Sequence, residues 1–508
     1  MAAFGILSRL LGFVRELVLA ATYGTNAKTD AYVAGLFVVN TVAAMLLYVL
    51  VTSVIPLFHG EERDHGESSA WRLVGVILTW VGLILIVVTG IVAIWPEGVS
   101  ALFSFKPATA SIAQELLRIM APALMLQGIS AVFTALLQLR GSFSRPAAIG
   151  VTFNAGIIVG IVALNPFIGI RGAAWGVVIG AIGQVALQLP EFRRFWKRGG
   201  GRLGLRHPRL GTALVLALPV FLATFAQQIN SFTDKMFINA FDLPDGSIAA
   251  LNFASALGSA PRTAILFPLL VPLFPHISKL LSEGRRDDAT RAFGRSAGLL
   301  ALVAAPITAF MAIQAHGLAQ IAFERGKCGV DCRVEIGKPV VFYALAVWGA
   351  FMVYLLNRTL SAARKPREIL AATLITVGVV IGLDLLLIER MEQAGLALAS
   401  MVGVYVNTAI MLWFLHRELP EVSIRAFVAQ QGRILASVLP PAVLLLALQN
   451  LVPSEGRSFL QTAGLVSLKA LLFAAAFAGC AWLLARTEVR SAINVARSVV
   501  RRRRPRAA

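Results

Sequence analysis

Charge is what this sequence has least of. Asp, Glu, Lys and Arg make up 14% of its 508 residues, where soluble domains carry about 25%. Hydrophobic residues reach 57% and mean hydropathy is +0.77. No long polar segment separates the apolar runs, which excludes a soluble domain. Cysteine is scarce as well, with three in the chain. Cys480 reads as a small apolar residue. Cys328 and Cys332 flank Gly-Val-Asp in a loop; an oxidising exterior admits a disulfide there, the tight ring weighs against it, and a metal would be short of ligands. The six His residues are scattered. The sequence has no G-x-x-x-x-G-K-[ST], no H-E-x-x-H and no G-x-S-x-G, so an ATP site of that type and the corresponding hydrolase chemistries have nothing to stand on. No A-x-A-like site follows a short apolar core near the start, so that stretch is not read as a cleaved signal.

Apolar runs of about twenty residues are what the sequence does have, and runs of that length are transmembrane candidates. Fourteen spans are expected, near 4–24, 31–58, 72–95, 113–139, 146–165, 171–190, 210–240, 247–281, 294–323, 338–363, 368–388, 394–415, 428–449 and 461–485. The loops alternate in charge: one set, with the C-terminal tail, holds thirty Lys and Arg, and the other holds nine. By the positive-inside rule both termini are cytoplasmic. The net charge of +20 resides in those short loops and in the "RRRRPR" tail, facing an anionic leaflet. No folded basic domain is present, so nucleic acid is not an expected partner.

The two halves of the chain resemble each other at one offset. "GIRGAAWGVVIGAIGQVALQLPEFRR" (169–194) lies on "EQAGLALASMVGVYVNTAIMLWFLHR" (392–417) at +223, Pro146 on Pro366 at +220, and "TDAYVAG" (29–35) on "GSIAALNFAS" (246–255) at about +219. At +220 Arg15 falls on Lys235. Six spans separate the copies, and an even number preserves orientation. The repeat is therefore parallel, of the kind related by an axis along the membrane normal.

Ionisable residues within spans are the chemistry that remains: Arg9, Arg15, Glu16, Asp234, Lys235, Arg262, Arg358, Asp384 and Lys469. Each costs roughly 2.5–3.5 kcal/mol at a helix centre, so each must face a cavity, find a partner or snorkel. Arg358 and Lys469 admit a bland reading near span ends, and Asp384 could be interfacial. The stretch "SRLLGFVRE" (8–16) carries three charges in the first span. Helical geometry puts Arg9 and Glu16 on one face, with Arg15 about 120° away. Gly5, Ser8 and Gly12 form a small-residue stripe open to close approach. A cavity bearing Arg and Lys suits an anion, phosphate above all.

With "SRLLGFVRELVLAATYGTNAKTDAYVAG", "LQLRGSFSRPAAIGVTFNAG", "INSFTDKMFINAFDLPDGSIAALNFASAL", "FPHISKLLSEGRRDDATRAF" and "IAFERGKC", the sequence resembles the MurJ/MviN family of the multidrug/oligosaccharidyl-lipid/polysaccharide flippase superfamily. The resemblance implies an all-α polytopic membrane protein with fourteen helices around a central cavity. Its parts would be an N-lobe at 1–200 (spans 1–6), a C-lobe at 201–420 (spans 7–12), spans 13 and 14 with a lipid-tail groove at 421–486, and a basic cytoplasmic tail at 487–508. It implies a monomer in the bacterial inner membrane, acting beside other cell-envelope synthesis proteins and moving lipid II by alternating access, without enzymatic activity. Arg9, Arg15, Asp30 and Asn40 fall on family cavity positions; Lys235 and Arg262 would supply positive charge from the second lobe. No cofactor or metal is implied beyond Na+ or H+ as a coupling ion, with Asp234, Asp384 and Ser400 near the implied ion site; Val380 stands where an asparagine is expected. The family's arginine after Asn40 is absent, where the chain has Ala43 and Ala44, and its span-8 arginine is Ala256. Another lipid-linked oligosaccharide, of the exopolysaccharide or O-antigen type, is accordingly the rival cargo, and a drug/cation antiporter of the same fold is a third reading.

Overall fold

The computed structural model describes residues 2–198, 203–262, 265, 273–453 and 457–503. Among the described residues every regular element is helical, as lipid requires when no water is at hand to satisfy backbone groups. In chain order the helices are α1 (Ala2–Tyr23), α2 (Ala27–Val49), α3 (Ile55–His65), α4 (Glu67–Ile94), α5 (Pro96–Ala101), α6 (Pro107–Leu139), α7 (Ser144–Val159), α8 (Asn165–Ile168), α9 (Arg171–Arg198) and α10 (Leu210–Ala240). They continue with α11 (Ser247–Pro261), α12 (Leu273–Ser282), α13 (Arg286–Ile313), α14 (Ala315–Phe323), α15 (Val330–Ala362), α16 (Pro366–Glu418), α17 (Ile424–Leu451), α18 (Phe459–Leu484) and α19 (Arg486–Arg503).

Eleven described helices are long and apolar enough to cross a bilayer. The expected fourteen spans differ from this count at three places. Helix α1 has the length but carries Arg9, Arg15 and Glu16. The expected span 247–281 runs through residues 263–264 and 266–272, outside the described residues. Helix α16 is 53 residues long, and its backbone breaks at Glu392, where φ is 52° and ψ is −138°. A Cβ on Gly403 would sit 2.3 Å from Val380 Cγ2, and one on Gly395 would sit 2.8 Å from Leu387 O. In a straight helix residues 380 and 403 would be about 35 Å apart. The chain therefore doubles back at Glu392, and the two arms of α16 match the expected spans 368–388 and 394–415.

The chain forms two compact units: Met1–Asn252 with Arg325–Gly329, and Phe253–Glu324 with Val330–Ala508. In the first, Phe58, Trp71, Phe133 and Leu136 centre an apolar cluster. Helices α7 and α9 meet backbone to backbone, because a Cβ on Gly156 would lie 2.4 Å from Gly180 Cα and one on Gly160 would lie 2.4 Å from Gly176 Cα. In lipid, where apolar burial does not drive helix pairing, such small residues allow the close approach that does. Two π-helical turns, Leu50–Val54 and Gly160–Leu164, each precede a proline, Pro56 and Pro166, that has no N–H for the helical ladder.

The segment leading into α10 docks on the end of α3. Arg209 Nε lies 2.9 Å from Glu61 Oε2, Arg209 Nη2 lies 2.6 Å from Asp64 Oδ2, and His207 Nε2 lies 3.8 Å from Glu61 Oε1. Glu61 is buried and also accepts from Ser69 Oγ at 2.6 Å, with His65 Nδ1 at 3.3 Å. At the far end of α1, Lys327 N donates to Ala21 O at 2.8 Å. Gly326 is required there: its φ is +58°, and a Cβ would fall 2.2 Å from Ala21 O. The loop's cysteines, Cys328 and Cys332, are disulfide-bonded, so the tight ring that weighs against this bridge in sequence does close.

The second unit is built around Phe293, Trp348, Phe351 and Leu356. Lys469 is buried and donates to Val452 O at 2.9 Å. Arg358 donates to Tyr354 Oη at 2.9 Å and lies 5.1 Å from its ring centre. Both contacts are local, in line with the bland reading of these two charges. Asp384 is fully buried.

Candidate functional site

Within the first unit, α1, α2, α10 and the start of α11 enclose a cavity of about 240 Å3. Its polar wall includes Arg15, Glu16, Asn40, Gln228, Lys235 and Asn252, with Phe37 and Ala44 among its apolar residues. Arg15 and Lys235, the pair aligned by the internal repeat, both line it.

Arg15 reaches the cavity already engaged. It pairs with Glu16, and Arg15 Nη1 donates to Asn154 Oδ1 at 3.2 Å. Asn154 is fixed in turn by donating from Nδ2 to Gly150 O at 2.8 Å and to Ser8 O at 3.1 Å. On the other side, Asn252 Nδ2 donates to Glu16 Oε2 at 3.0 Å. The chain of contacts Ser8–Asn154–Arg15–Glu16–Asn252 holds two ionised groups in a buried place where neither could remain unpaired. Glu16 is 5% exposed while Arg9 is exposed, so the face that helical geometry assigns to both residues is not shared in environment. Arg9 is not among the residues lining the cavity.

Lys235 is held differently. Its Nζ donates to Ser231 O at 3.0 Å and lies 4.4 Å from the centre of the Phe37 ring, a cation–π contact. Two cations and one carboxylate leave the cavity wall net positive by one charge. Asp234 is buried beside Lys235 in sequence but does not line the cavity.

Asp30 lies outside the cavity, at the start of α11. Its Oδ2 accepts from Gly246 N at 2.6 Å and its Oδ1 from Ala249 N at 2.8 Å. It thus supplies the cap for a helix whose own preceding residue, Gly246, has no side chain to offer. Helix α2 is capped locally, by Asn26 Oδ1 accepting from Lys28 N and Thr29 N. The two turns touch: Gly246 has φ +100°, and a Cβ on it would lie 2.6 Å from the Thr25 carbonyl carbon. Outside the spans, Lys106 Nζ bonds Asp242 at 3.0 Å on the same loop, and that hydrogen bond holds the ammonium above its ordinary pKa.

The remaining expected residues lie in the second unit. Arg262 and Ser400 line a smaller cavity of about 140 Å3. Asp384 lies elsewhere in α16 and is not among its lining residues. Sequence reasoning missed Gln228, Asn252 and Asn154, uncharged amides whose spacing carries no signal.

The family model for the lipid II flippase MurJ matches residues 19–474. The chain belongs to the lipid II flippase MurJ family. A relative from Rhizobium meliloti (strain 1021), a probable lipid II flippase MurJ, is 26% identical and is covered over 91% of its length by 92% of this chain. The lipid II flippase MurJ of Burkholderia cenocepacia is 24% identical, with 81% of each chain covered. Among solved structures, a lipid II flippase MurJ in an inward closed conformation superposes with a TM-score of 0.78 at 17% identity, over 96% of this chain and 100% of that one. An inward-facing multidrug resistance MATE transporter of the MOP superfamily gives 0.63 at 13% identity, over 82% and 95%. At these identities the structural likeness speaks for the fold. Membership makes this a multi-pass membrane transporter of the MurJ type, and both superposed proteins share its helical architecture.

Proposed function

We propose that the protein flips lipid II across the bacterial inner membrane by alternating access, and that the cavity at Arg15 and Lys235 receives the pyrophosphate. The observation that carries this reading is the net positive wall: an arginine pre-oriented by Glu16 and Asn154, with Lys235 beside Phe37. A guanidinium presents paired donors to two phosphate oxygens, and a low-dielectric site strengthens each contact. Arg9 contributes as an exposed cation along α1 at the cytoplasmic approach, and Asn40 as a polar group of the cavity wall. Both termini are cytoplasmic in this proposal, from the thirty-to-nine charge bias. Asp30 then stands at the outer end, holding the turns before α2 and α11 together.

Energy comes from membrane potential, an ion gradient, or consumption of the cargo outside. Moving one charge through 100 mV is worth about 2.3 kcal/mol. Na+ or H+ is the coupling ion, with Asp384 and Asp234 as the groups to test; Ser400 lines the cavity of Arg262, an unfavourable neighbour for a cation. The protein works as a monomer on a lipid-linked saccharide and performs no covalent chemistry.

A second reading rests on Ala44, which lines the cavity where the family resemblance implies an arginine nearby. A cavity with fewer cations suits a different lipid-linked oligosaccharide. One experiment separates the two: expression in a bacterium depleted of its own lipid II flippase. Rescue of growth supports lipid II. Failure to rescue, with loss of polysaccharide export on deleting this gene from its host, supports the rival cargo.

A further inference from the structure

The 140 Å3 cavity of the second unit is framed by α11, α15 and the later arm of α16. A single water needs about 10–15 Å3 of such space, so there is room for a carboxylate or phosphate group. The walls are fixed. Gly258 brings α11 onto α15, since a Cβ there would lie 2.6 Å from Tyr343 Cβ. Tyr405 Oη donates to Leu345 O at 2.7 Å, and its ring stacks on Trp348 with centroids 5.7 Å apart.

Among the described residues Arg262 is the single charged one of the lining, which otherwise presents Ser255, Ser259, Ser400 and Tyr343 as its polar groups. The Ser259 hydroxyl donates to Ala256 O at 3.1 Å, leaving Ser255 and Ser400 as the hydroxyls to meet a ligand. Among the described residues no carboxylate pairs with Arg262. The contrast with Arg15 is direct, for that guanidinium has Glu16 at its side. A guanidinium without a counter-charge, lining a cavity with hydroxyls that can donate, is matched by an oxyanion.

We propose that this cavity is a second oxyanion seat, in which Arg262, Ser255 and Ser400 bind an acidic group of the cargo other than the one received at Arg15. The inference rests on the reading that the cargo is an acidic lipid-linked saccharide. The shared chemistry is a carboxylate or a phosphate; lipid II offers both, in its peptide and in its pyrophosphate.

The seat is tested first without cargo, on full-length protein carrying Cys480→Ser. Ala350→Cys places a reporter thiol on the cavity wall, outside the proposed donors. A sulfonate-bearing thiosulfonate reagent is expected to modify it roughly tenfold or more faster than a trimethylammonium analogue, because a focused positive potential concentrates anions. Inorganic phosphate or acetate is expected to slow that reaction. Arg262→Gln abolishes both effects and Arg262→Lys retains them, each checked by its melting curve. Equal rates for the two reagents, with no protection by either anion, overturn the seat.

Binding then identifies the source, using lipid II, lipid II with amidated carboxylates, and undecaprenyl pyrophosphate. A loss in Arg262→Gln confined to unmodified lipid II assigns a peptide carboxylate. An equal loss for all three means that Arg262 acts on the same pyrophosphate as Arg15 and overturns a separate seat. Unchanged binding of all three overturns the assignment of the seat to cargo. Wild-type protein that binds none of them while its reagent preference persists overturns the cargo reading and leaves the oxyanion seat in place.

Discussion

Asp30 and Ala249 occupy equivalent positions of the internal repeat, 219 residues apart, and a hydrogen bond of 2.8 Å from Ala249 N to Asp30 Oδ1 joins them. The two helix starts differ: α2 is capped by its own Asn26, and α11 borrows Asp30 because the residue before it, Gly246, has no side chain. Asp30→Ala would orphan the N–H groups of Gly246 and Ala249, at about 1–3 kcal/mol for each buried donor. The expected result is a clearly lowered melting temperature in detergent together with loss of complementation. Asp30→Asn keeps one acceptor oxygen and should fall between. An unshifted melting curve for Asp30→Ala would show that the cap carries no stability.

The Arg15–Glu16 pair predicts strong non-additivity. Arg15→Ala leaves Glu16 buried with only Asn252 as partner, and breaking a buried pair from one side costs about 3–5 kcal/mol. Arg15→Ala with Glu16→Gln removes both charges, so the double variant should melt closer to wild type than Arg15→Ala does. Transport should remain absent in the double variant, because the guanidinium is gone. Stability measured by thermal unfolding and transport measured by complementation should therefore separate. Recovery of transport in the double variant would remove Arg15 from the phosphate site.

The all-helical membrane fold was legible in the sequence because lipid demands long apolar helices. The repeat offset pairs Arg15 with Lys235, and both line one cavity. The division of labour within the site was not legible. Nothing in the sequence distinguishes Asp30 as a cap from Asp30 as a cavity carboxylate, since that depends on backbone N–H groups 216 and 219 residues away. Nor does helical periodicity tell a buried Glu16 from an exposed Arg9. Asn154 and Asn252 were invisible because an amide inside an apolar helix costs too little to stand out, whereas a charge does.

Lys235 over Phe37 offers a graded test. A cation–π contact is worth about 0.5–1 kcal/mol when exposed and about 2 when desolvated. Phe37→Leu keeps the apolar volume and removes the ring's negative face. It should leave the protein folded and lower the stability of the α2–α10 packing by about that amount. Lys235→Gln should remove the net positive charge of the cavity and weaken binding of undecaprenyl pyrophosphate far more than Phe37→Leu does. Equal effects of the two variants on binding would mean that Lys235 acts through packing alone.

The docked segment before α10 should respond to acid through His207. Burial pushes the His207 imidazole below its ordinary value; Glu61 pulls it up, and Arg72, Arg209 and His65 push it down. The folded state therefore binds this proton less readily than the unfolded chain, whose histidine titrates near pH 6.5. Stability from this group is present above that pH and is lost as pH falls through it. Between about pH 7.5 and pH 5.5 the wild-type melting temperature should drop further than that of His207→Gln. The comparison cancels the carboxylates and other groups that titrate alike in both proteins. Parallel melting curves for wild type and His207→Gln across this range would show that the docking of His207 on α3 is indifferent to its charge.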